Sequence, residues 1–527
     1  MGDRTGPIVL IVAFGVMLGF IAFLLVGPRG ASGDTEAVGA TTSTSESGDG
    51  TASGSTTGSL QAGNTSTSTT ATGQVRDPGT IPGWTVGQPW GTTVGLTMFR
   101  GNPTRTYYGT GPISDSPSRI WTYPDQAMCS QSTNLGETTT WCGMGWTGQP
   151  AVWERNDGKT ELIFGAYDGA LHFVDAETGQ DLRSQFQTGD LIKGSVTIDP
   201  DGFPLLYTGS RDNKLRILAL DRGDAVELWS IDAHAVDWIW NDDWDGNPVI
   251  IDDMMYEGGE NGWFFAYKLN RGYDAGGNVT IDPELKFSMK GWNQEELNNL
   301  GNEEVSIENS VVAYEDRIYF GNSGGRIVGL DVSDVLNGNV DVVFDYWAGG
   351  DADPSLVVDA DGYVYASLEY EPSQMHQTEL DRTKEVGQLV KLDPYTDGDP
   401  RVWGVDLRKP GEDSGTWSTP ALYKGYLYTN THQGSTIVVD TETGEIVWQD
   451  STAGWHSWSS PAVVDDTLVV GTCVGELRGY SLEDPTAPRR VWTVPVGLSG
   501  ACVEATPAIW KGVIYIGSRD GHIRAFK

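Results

Sequence analysis

Cysteine is nearly absent from this 527-residue chain: there are four, none adjacent to another and none in a C-x-x-C or C-x-x-C-H arrangement. Those gaps exclude the common zinc motifs and covalent c-type haem. Basic residues are scarce as well. Thirty-four Lys and Arg stand against 72 Asp and Glu, a formal net charge of −38. Nucleic-acid binding requires the opposite balance, because phosphate must be neutralised. Histidine occurs only six times, and no Walker loop is present. Charge is missing in one place too, from Pro7 to Gly27, about 21 positions. That is long enough to cross a bilayer and exceeds the apolar core of a cleaved signal peptide.

Residues 1–29 therefore read as a transmembrane signal anchor, with cleavage near Ala31-Ser32-Gly33 as the other reading. The N-terminal flank is six residues long and carries both Asp3 and Arg4. The long C-terminal body is thus expected on the extracytoplasmic side of the cell membrane. Residues 30–78 are dominated by Ser, Thr and Gly. Such a tract buries too little apolar surface to fold and reads as a disordered linker.

What the chain has in abundance is glycine, 69 residues, with 20 Trp and 20 Tyr. These suit tight turns and flat faces between stacked sheets. From Trp146 onward one phrase recurs about eight times, a period of roughly 40–45 residues. It opens with a small-Pro-Ala start, as in Ser418-Thr419-Pro420-Ala421 and Ser459-Ser460-Pro461-Ala462. A strand follows, then a G-S-x-D-G-like turn such as Gly517-Ser518-Arg519-Asp520-Gly521. The unit ends as D-x-x-T-G-x-x-x-W, as in Asp440 to Trp448. Four short strands per repeat predict an all-β, eight-bladed β-propeller over residues 79–527. The last unit stops at Lys527 after three strands, so residues 118–123 are expected to supply its fourth and close the ring. Asp199-Pro200-Asp201-Gly202 and Asp359-Ala360-Asp361-Gly362 read as hairpin turns rather than calcium loops.

The D-x-x-T-G-x-x-x-W phrase and the T/S-P-A strand starts resemble the pyrroloquinoline-quinone-type (PQQ-like) propeller repeat. Phe99-Arg100-Gly101-Asn102-Pro103-Thr104-Arg105-Thr106 is similar to the R-G-N-x-x-R-T phrase that precedes such propellers. The resemblance spans roughly residues 98–527. It implies either a quinoprotein dehydrogenase using PQQ and calcium, or a non-catalytic, membrane-anchored propeller. The dehydrogenases hold PQQ between a Trp and an adjacent-cysteine disulfide, and this chain has no Cys-Cys pair.

In a propeller, the residues just before each innermost strand ring an axial funnel. Here they give Trp146, Lys193, Trp417, Trp455, His456 and Trp458 as candidates for holding a ligand or cofactor. Asp243, Asp245, Asn247, Glu308 and Asn309 offer the hard oxygen donors that Ca²⁺ prefers; the competing reading has these acids capping turns or offsetting Lys193 and arginines. The blade map pairs Cys473 with Cys502 and Cys129 with Cys142, one of three connectivities open to four cysteines. Disulfides suit an exported protein. The favoured function is a binding or scaffold module at the cell surface, probing a protein or cell-envelope polysaccharide partner. The alternative is PQQ- and Ca-dependent oxidation of an alcohol or sugar. An enlarged loop from about Tyr370 to Val386, with Met375 and His376, is the expected presenter.

Overall fold

The computed structural model describes residues 86–134, 136–145, 148–451, 454–498 and 500–527. The anchor and linker expected over 1–78, and Trp146, lie outside these. No helix among the described residues is long and apolar enough to cross a membrane. Three two-stranded sheets apart, the described residues form eight antiparallel sheets, seven of four strands and one of five, in chain order around an axis. Each sheet is one blade, with strands A to D running from axis to rim. Blade one starts at Ala151–Glu154 and gains a fifth, innermost strand from Gly95–Leu96. The other A strands begin at Thr197, Val249, Val312, Val357, Ala421, Ala462 and Ala508.

The recurrent D-x-x-T-G phrase builds the turn between strands C and D, and its physical logic is visible in two copies. Asp440 Oδ1 accepts from the N–H groups of Glu442 and Thr443, at 2.8 and 3.0 Å. Gly444 then turns the chain at φ 74°. A Cβ there would also lie 2.8 Å from the Trp403 ring of the preceding blade, so both backbone and space demand glycine. Trp403 Nε1 donates to Thr441 O at 3.0 Å. This D-strand Trp therefore latches onto the turn of the next blade. The same contact recurs at the ring closure. Arg119–Tyr123 pairs with His522–Phe526 as the outer strand of blade eight. Its Trp121 donates to Ala176 O at 3.1 Å and packs against Gly179 of blade one. Closure by residues 118–123 is as the sequence predicts.

The R-G-N-x-x-R-T segment is a plug. Arg100 and Arg105 are fully buried, and both have left-handed backbones, φ 52° and 60°. Arg100 donates to Thr419 O and Pro461 O, each at 2.8 Å, reaching blades six and seven. Its own N–H is held by Gln149 Oε1 of blade one at 2.7 Å. Arg105 donates to Phe99 O, Asn247 Oδ1, Asn247 O and Val311 O, tying blades three and four. Thr97 O and Thr104 O accept from Ile198 and Val358 of blades two and five, and Thr110 N–H donates to Ile509 O of blade eight. One short segment thus hydrogen-bonds to all eight blades, in or just before their innermost strands. About 10 Å³ of space remains between Phe99 and Glu308, Asp353, Ser355 and Thr419, barely one water. The axis is a cup closed from below, not a tunnel.

One expectation needs amending. The loop after Tyr370 carries a helix, Gln377–Val386. Glu379 fastens it by accepting from His376 N–H at 2.7 Å and Gly301 N–H at 3.1 Å. Tyr370 is buried rather than presented. The cysteines at 129 and 142 face each other at the base of the hairpin Cys129–Asn134 and Glu137–Cys142. Both expected disulfides, Cys129–Cys142 and Cys473–Cys502, are formed. The two Asp-rich turns lie between strands A and B. Arg271 binds Asp199, Asp201 and Asp253 at 2.8, 3.0 and 2.9 Å, while Asp359 Oδ1 caps the N–H groups of Asp361 and Tyr363, each at 3.0 Å.

Candidate functional site

Strand register decides which side chains meet in the funnel. The residue four before the first residue of each A strand enters it from the D–A loop. The residue four beyond the B-strand partner of that first residue enters it from the B–C turn. Val249 pairs with Tyr256 and Val357 with Tyr365; the same count applied to blades two to eight gives one pair in each. The pairs are Lys193 and Arg211 in blade two, Asp245 and Glu260 in three, Glu308 and Ser323 in four, and Asp353 and Glu369 in five. Blades six, seven and eight supply Trp417 and His432, Trp458 and Cys473, and Glu504 and Arg519.

Charge is distributed unevenly around this ring. Blade eight is self-neutralised, with Arg519 3.3 Å from Glu504. Blades two and three neutralise each other. Lys193 Nζ lies 2.8 Å from Glu260 and 3.2 Å from Asp243, and it also contacts Asp245. Arg211 Nε is 2.5 Å from Asp243. Burial opposes the Lys193 charge, but Asp245, Glu260 and Asp243 together hold its pKa well above the ordinary lysine value. Three acids share two bases, so one carboxyl is in excess. Burial accordingly pushes Asp245 up to about 6 and Glu260 well up.

Blades four and five have no such compensation. Glu308, Asp351, Asp353 and Glu369 converge, and none forms an ion pair with the described residues. Burial, followed by the charge of Asp353, raises Asp351, Glu369 and Glu308 well above ordinary carboxyl values. At the rim, burial and neighbouring acids push Glu371 up to about 8. Burial raises Glu304 to about 7, with Asp353 adding to it. A cavity of about 240 Å³ opens over this arc, lined by Lys193, Trp240, Asn241, Glu260, Glu304, Glu308, Ser323, Asp351, Glu371 and Gln374.

Blades six and seven form an aromatic arc. Trp417 packs on His432 at 4.0 Å and on Trp458 at 4.6 Å, and Trp455 packs on His456 at 4.0 Å. Trp458 Nε1 donates to His432 Nδ1 at 3.1 Å, which makes that nitrogen the acceptor. Burial, with His456 beside it, lowers His432 to about 3, so it stays neutral. Trp455 is half exposed, at 50 %, and forms the outer lip. Cys502 Sγ lies 3.7 Å from His456 O, so the Cys473–Cys502 disulfide backs this arc.

The expected ligand residues thus separate into two arcs, Lys193 on the polar side and Trp417, Trp455, His456 and Trp458 together on the other. The five calcium candidates are not brought together. Asp243 and Asp245 face Lys193. Asn247 turns into the axis, where its Oδ1 accepts from Phe99 N–H at 3.0 Å and its Nδ2 donates to Thr197 Oγ1 at 2.7 Å. Asn309 Nδ2 donates to Gly321 O and Ala352 O, at 2.8 and 2.9 Å, bracing the blade four–five junction. Glu308 alone joins the unneutralised arc. Glu260, Glu369 and His432 escape a reading confined to D–A loops. The signal for two of them was in the repeat: Glu260 and His432 occupy the x of the G-S-x-D-G-like turn.

PQQ is a flat tricarboxylate, and holding it calls for cations free to pair with it. The funnel's basic residues, Lys193, Arg211 and Arg519, are each held by carboxylates, and the disulfide joins cysteines 29 positions apart. These residues do not fit an anionic quinone.

The fold is an eight-bladed β-propeller, and the phrase that builds it resembles the PQQ-like repeat. Residues 385–527 match the family described as outer membrane protein assembly factor BamB. Among solved structures, a quinohemoprotein alcohol dehydrogenase, ADHIIG from Pseudomonas putida HK5, is 11% identical with a TM-score of 0.55. The match covers 82% of this chain and 80% of that one. The quinohemoprotein alcohol dehydrogenase from Comamonas testosteroni is 12% identical over the same shares, 82% and 80%, with a TM-score of 0.52. BamB from Moraxella catarrhalis is 14% identical, covering 78% of this chain and 97% of its own, with a TM-score of 0.49. Such identities speak for the fold alone. No curated protein matches the chain.

Proposed function

We propose that this protein is a binding module, a membrane-tethered propeller held outside the cytoplasm whose funnel captures a basic segment of a protein partner. The supporting observation is the pairing of two arcs across one closed cup. Rim carboxylates Glu304 and Glu371 stand on one side, and the exposed Trp455 lip stands on the other. A lysine or arginine side chain suits both, through carboxylate pairing and cation–π contact. Aromatic anchors within a desolvated surround are the usual centres of binding energy. Two disulfides and the uncharged run at Pro7–Gly27 support export and tethering. Quinoprotein oxidation is the weaker reading because, among the described residues, the funnel cations Lys193, Arg211 and Arg519 are each paired with carboxylates.

Cross-linking of the full-length protein in its native membrane, followed by affinity recovery, tests the proposal. Trp455→Ala and Glu371→Gln should each reduce recovery of the same partner, and raised salt should do so as well. Equal recovery from both variants would count against the funnel. Dye reduction with an alcohol or sugar after incubation with PQQ and Ca²⁺ would replace the binding reading with the oxidative one.

A further inference from the structure

Blades three and five carry the same carboxylates at the same places. Asp243, Asp245 and Glu260 in one correspond, by strand register, to Asp351, Asp353 and Glu369 in the other. Within each trio one oxygen per residue lies within 4.8 Å of the others. The blade three trio is filled by an ammonium group, since Lys193 Nζ touches all three acids. Lys193 comes from the equivalent position of the preceding blade. Before blade five that position is Glu308, and the position of Arg211 is Ser323. The repeat that supplies two cations to one trio supplies another acid and a hydroxyl to its counterpart.

The blade five trio is also held ready. Glu369 is only 6% exposed, and its carboxylate accepts no hydrogen bond from the described residues. Its backbone N–H donates to Asp351 O at 2.8 Å, and strand pairing of Glu369–Tyr370 with Ser414–Gly415 fixes the backbone. Asp353 Oδ1 accepts from Ser323 Oγ at 2.9 Å, and Ser323 Oγ lies 2.8 Å from Ser306 Oγ. A buried carboxylate with no donor and only acids for neighbours is costly unless a cation joins it.

From this equivalence we infer that Asp351, Asp353 and Glu369, with Glu308 beside them, bind a divalent cation where blade three uses the Lys193 ammonium. Oxygens within 4.8 Å of one another stand near the spacing that a central Ca²⁺ needs to bind all three at about 2.3–2.6 Å, whereas Mg²⁺ demands about 2.0–2.1 Å and near-ideal octahedral geometry. Calcium is therefore the expected ion. The site stands whatever the funnel binds, because it depends on the trio alone.

The test is isothermal titration of the full-length protein, stripped with EDTA, with CaCl₂ alone at pH 7.5, alongside thermal melts. One Ca²⁺ per chain and a raised melting midpoint are expected, with a weaker response to MgCl₂. Glu369→Gln and Asp353→Asn should each weaken binding by roughly tenfold or more, whereas Glu260→Gln should leave it within about twofold. Near-UV circular dichroism confirms that each variant is folded, and the wild-type titration decides the question if one is not. The inference is overturned if the wild type shows neither heat nor a midpoint shift up to about 10 mM Ca²⁺. It is also overturned if Glu260→Gln abolishes binding while Glu369→Gln does not. A calcium-insensitive wild type together with a stabilised Glu369→Gln would assign the trio to shared protons instead.

Discussion

Replacing Lys193 by Met isolates the charge balance of the funnel. The side chain is 9% exposed and touches three carboxylates, and methionine fills similar space without charge. Removing one partner of a buried ionic cluster costs about 3–5 kcal/mol, because the remaining charge is left unpaired. Arg211 stays on Asp243, so the lower half of that range is expected at pH 7.5. In a body this large that is a drop of roughly 5 °C in melting midpoint. The pH dependence carries the sharper information. Asp245 and Glu260 already titrate above ordinary carboxyls because they are buried, and losing Lys193 raises them further. A raised carboxyl binds protons in the folded state that the unfolded chain has released, so stability falls as pH rises. The deficit of Lys193→Met should therefore be largest at pH 7.5 and shrink towards pH 5. Melts across that range, with Lys193→Met/Glu260→Gln recovering part of the loss, test the account. A midpoint within about 1 °C of wild type, or a deficit independent of pH, would refute it. If the blade five trio binds calcium, vacating its counterpart should also let Ca²⁺ restore some stability to Lys193→Met.

Two further outcomes follow from the plug and the rim. Arg105→Met takes the guanidinium donor from three buried backbone carbonyls, Phe99 O, Asn247 O and Val311 O, while Asn247 Oδ1 keeps the Phe99 N–H; unsatisfied buried groups cost about 1–3 kcal/mol each, so denaturant melts should show a loss of at least about 3 kcal/mol, and Arg105→Lys should recover little of it because the planar fork is lost. At the rim, Glu371 and Glu304 are raised to about 8 and about 7, mainly by burial, so the midpoint in EDTA should fall as pH rises from 6 to 9, and Glu371→Gln should flatten that fall.

Much of the architecture was legible because each blade repeats its own instructions. Asp440 and Gly444 specify a turn that the neighbouring Trp403 then clamps, so the phrase encodes both the blade and its contact with the next. Trp121 carried the same signal upstream, which made the closing strand readable. The plug was less so. Its R-G-N-x-x-R-T phrase was visible, but nothing local says that Arg100 and Arg105 will meet carbonyls more than 140 residues away. The D–A half of the funnel could be read from the T/S-P-A starts, three residues beyond Trp417 and Trp458. The B–C half required the register. Glu260 and His432 sit in recognisable turns, whereas Glu369 begins an insertion that erases the G-S-x-D-G phrase.

That erasure bears on where function concentrates. In most blades the B–C turn is short, and its x residue meets a partner in the funnel, as Glu260 meets Lys193 and Arg519 meets Glu504. In blade five the chain leaves the turn at Glu369, pairs Glu369–Tyr370 with Ser414–Gly415, and builds the helix Gln377–Val386 before returning to the sheet. Such an excursion costs ordering entropy over some twenty residues, and the added strand pair and helix bury Tyr370, Glu379 and Val386 in return. Its local effect is to fix a carboxylate that no basic side chain answers and to roof the rim with Glu371. The extra residues thus stabilise an arrangement that is itself electrostatically unfavourable in the chain alone. Structure retained around an unneutralised acid cluster is the expected mark of a site completed by something the chain does not encode.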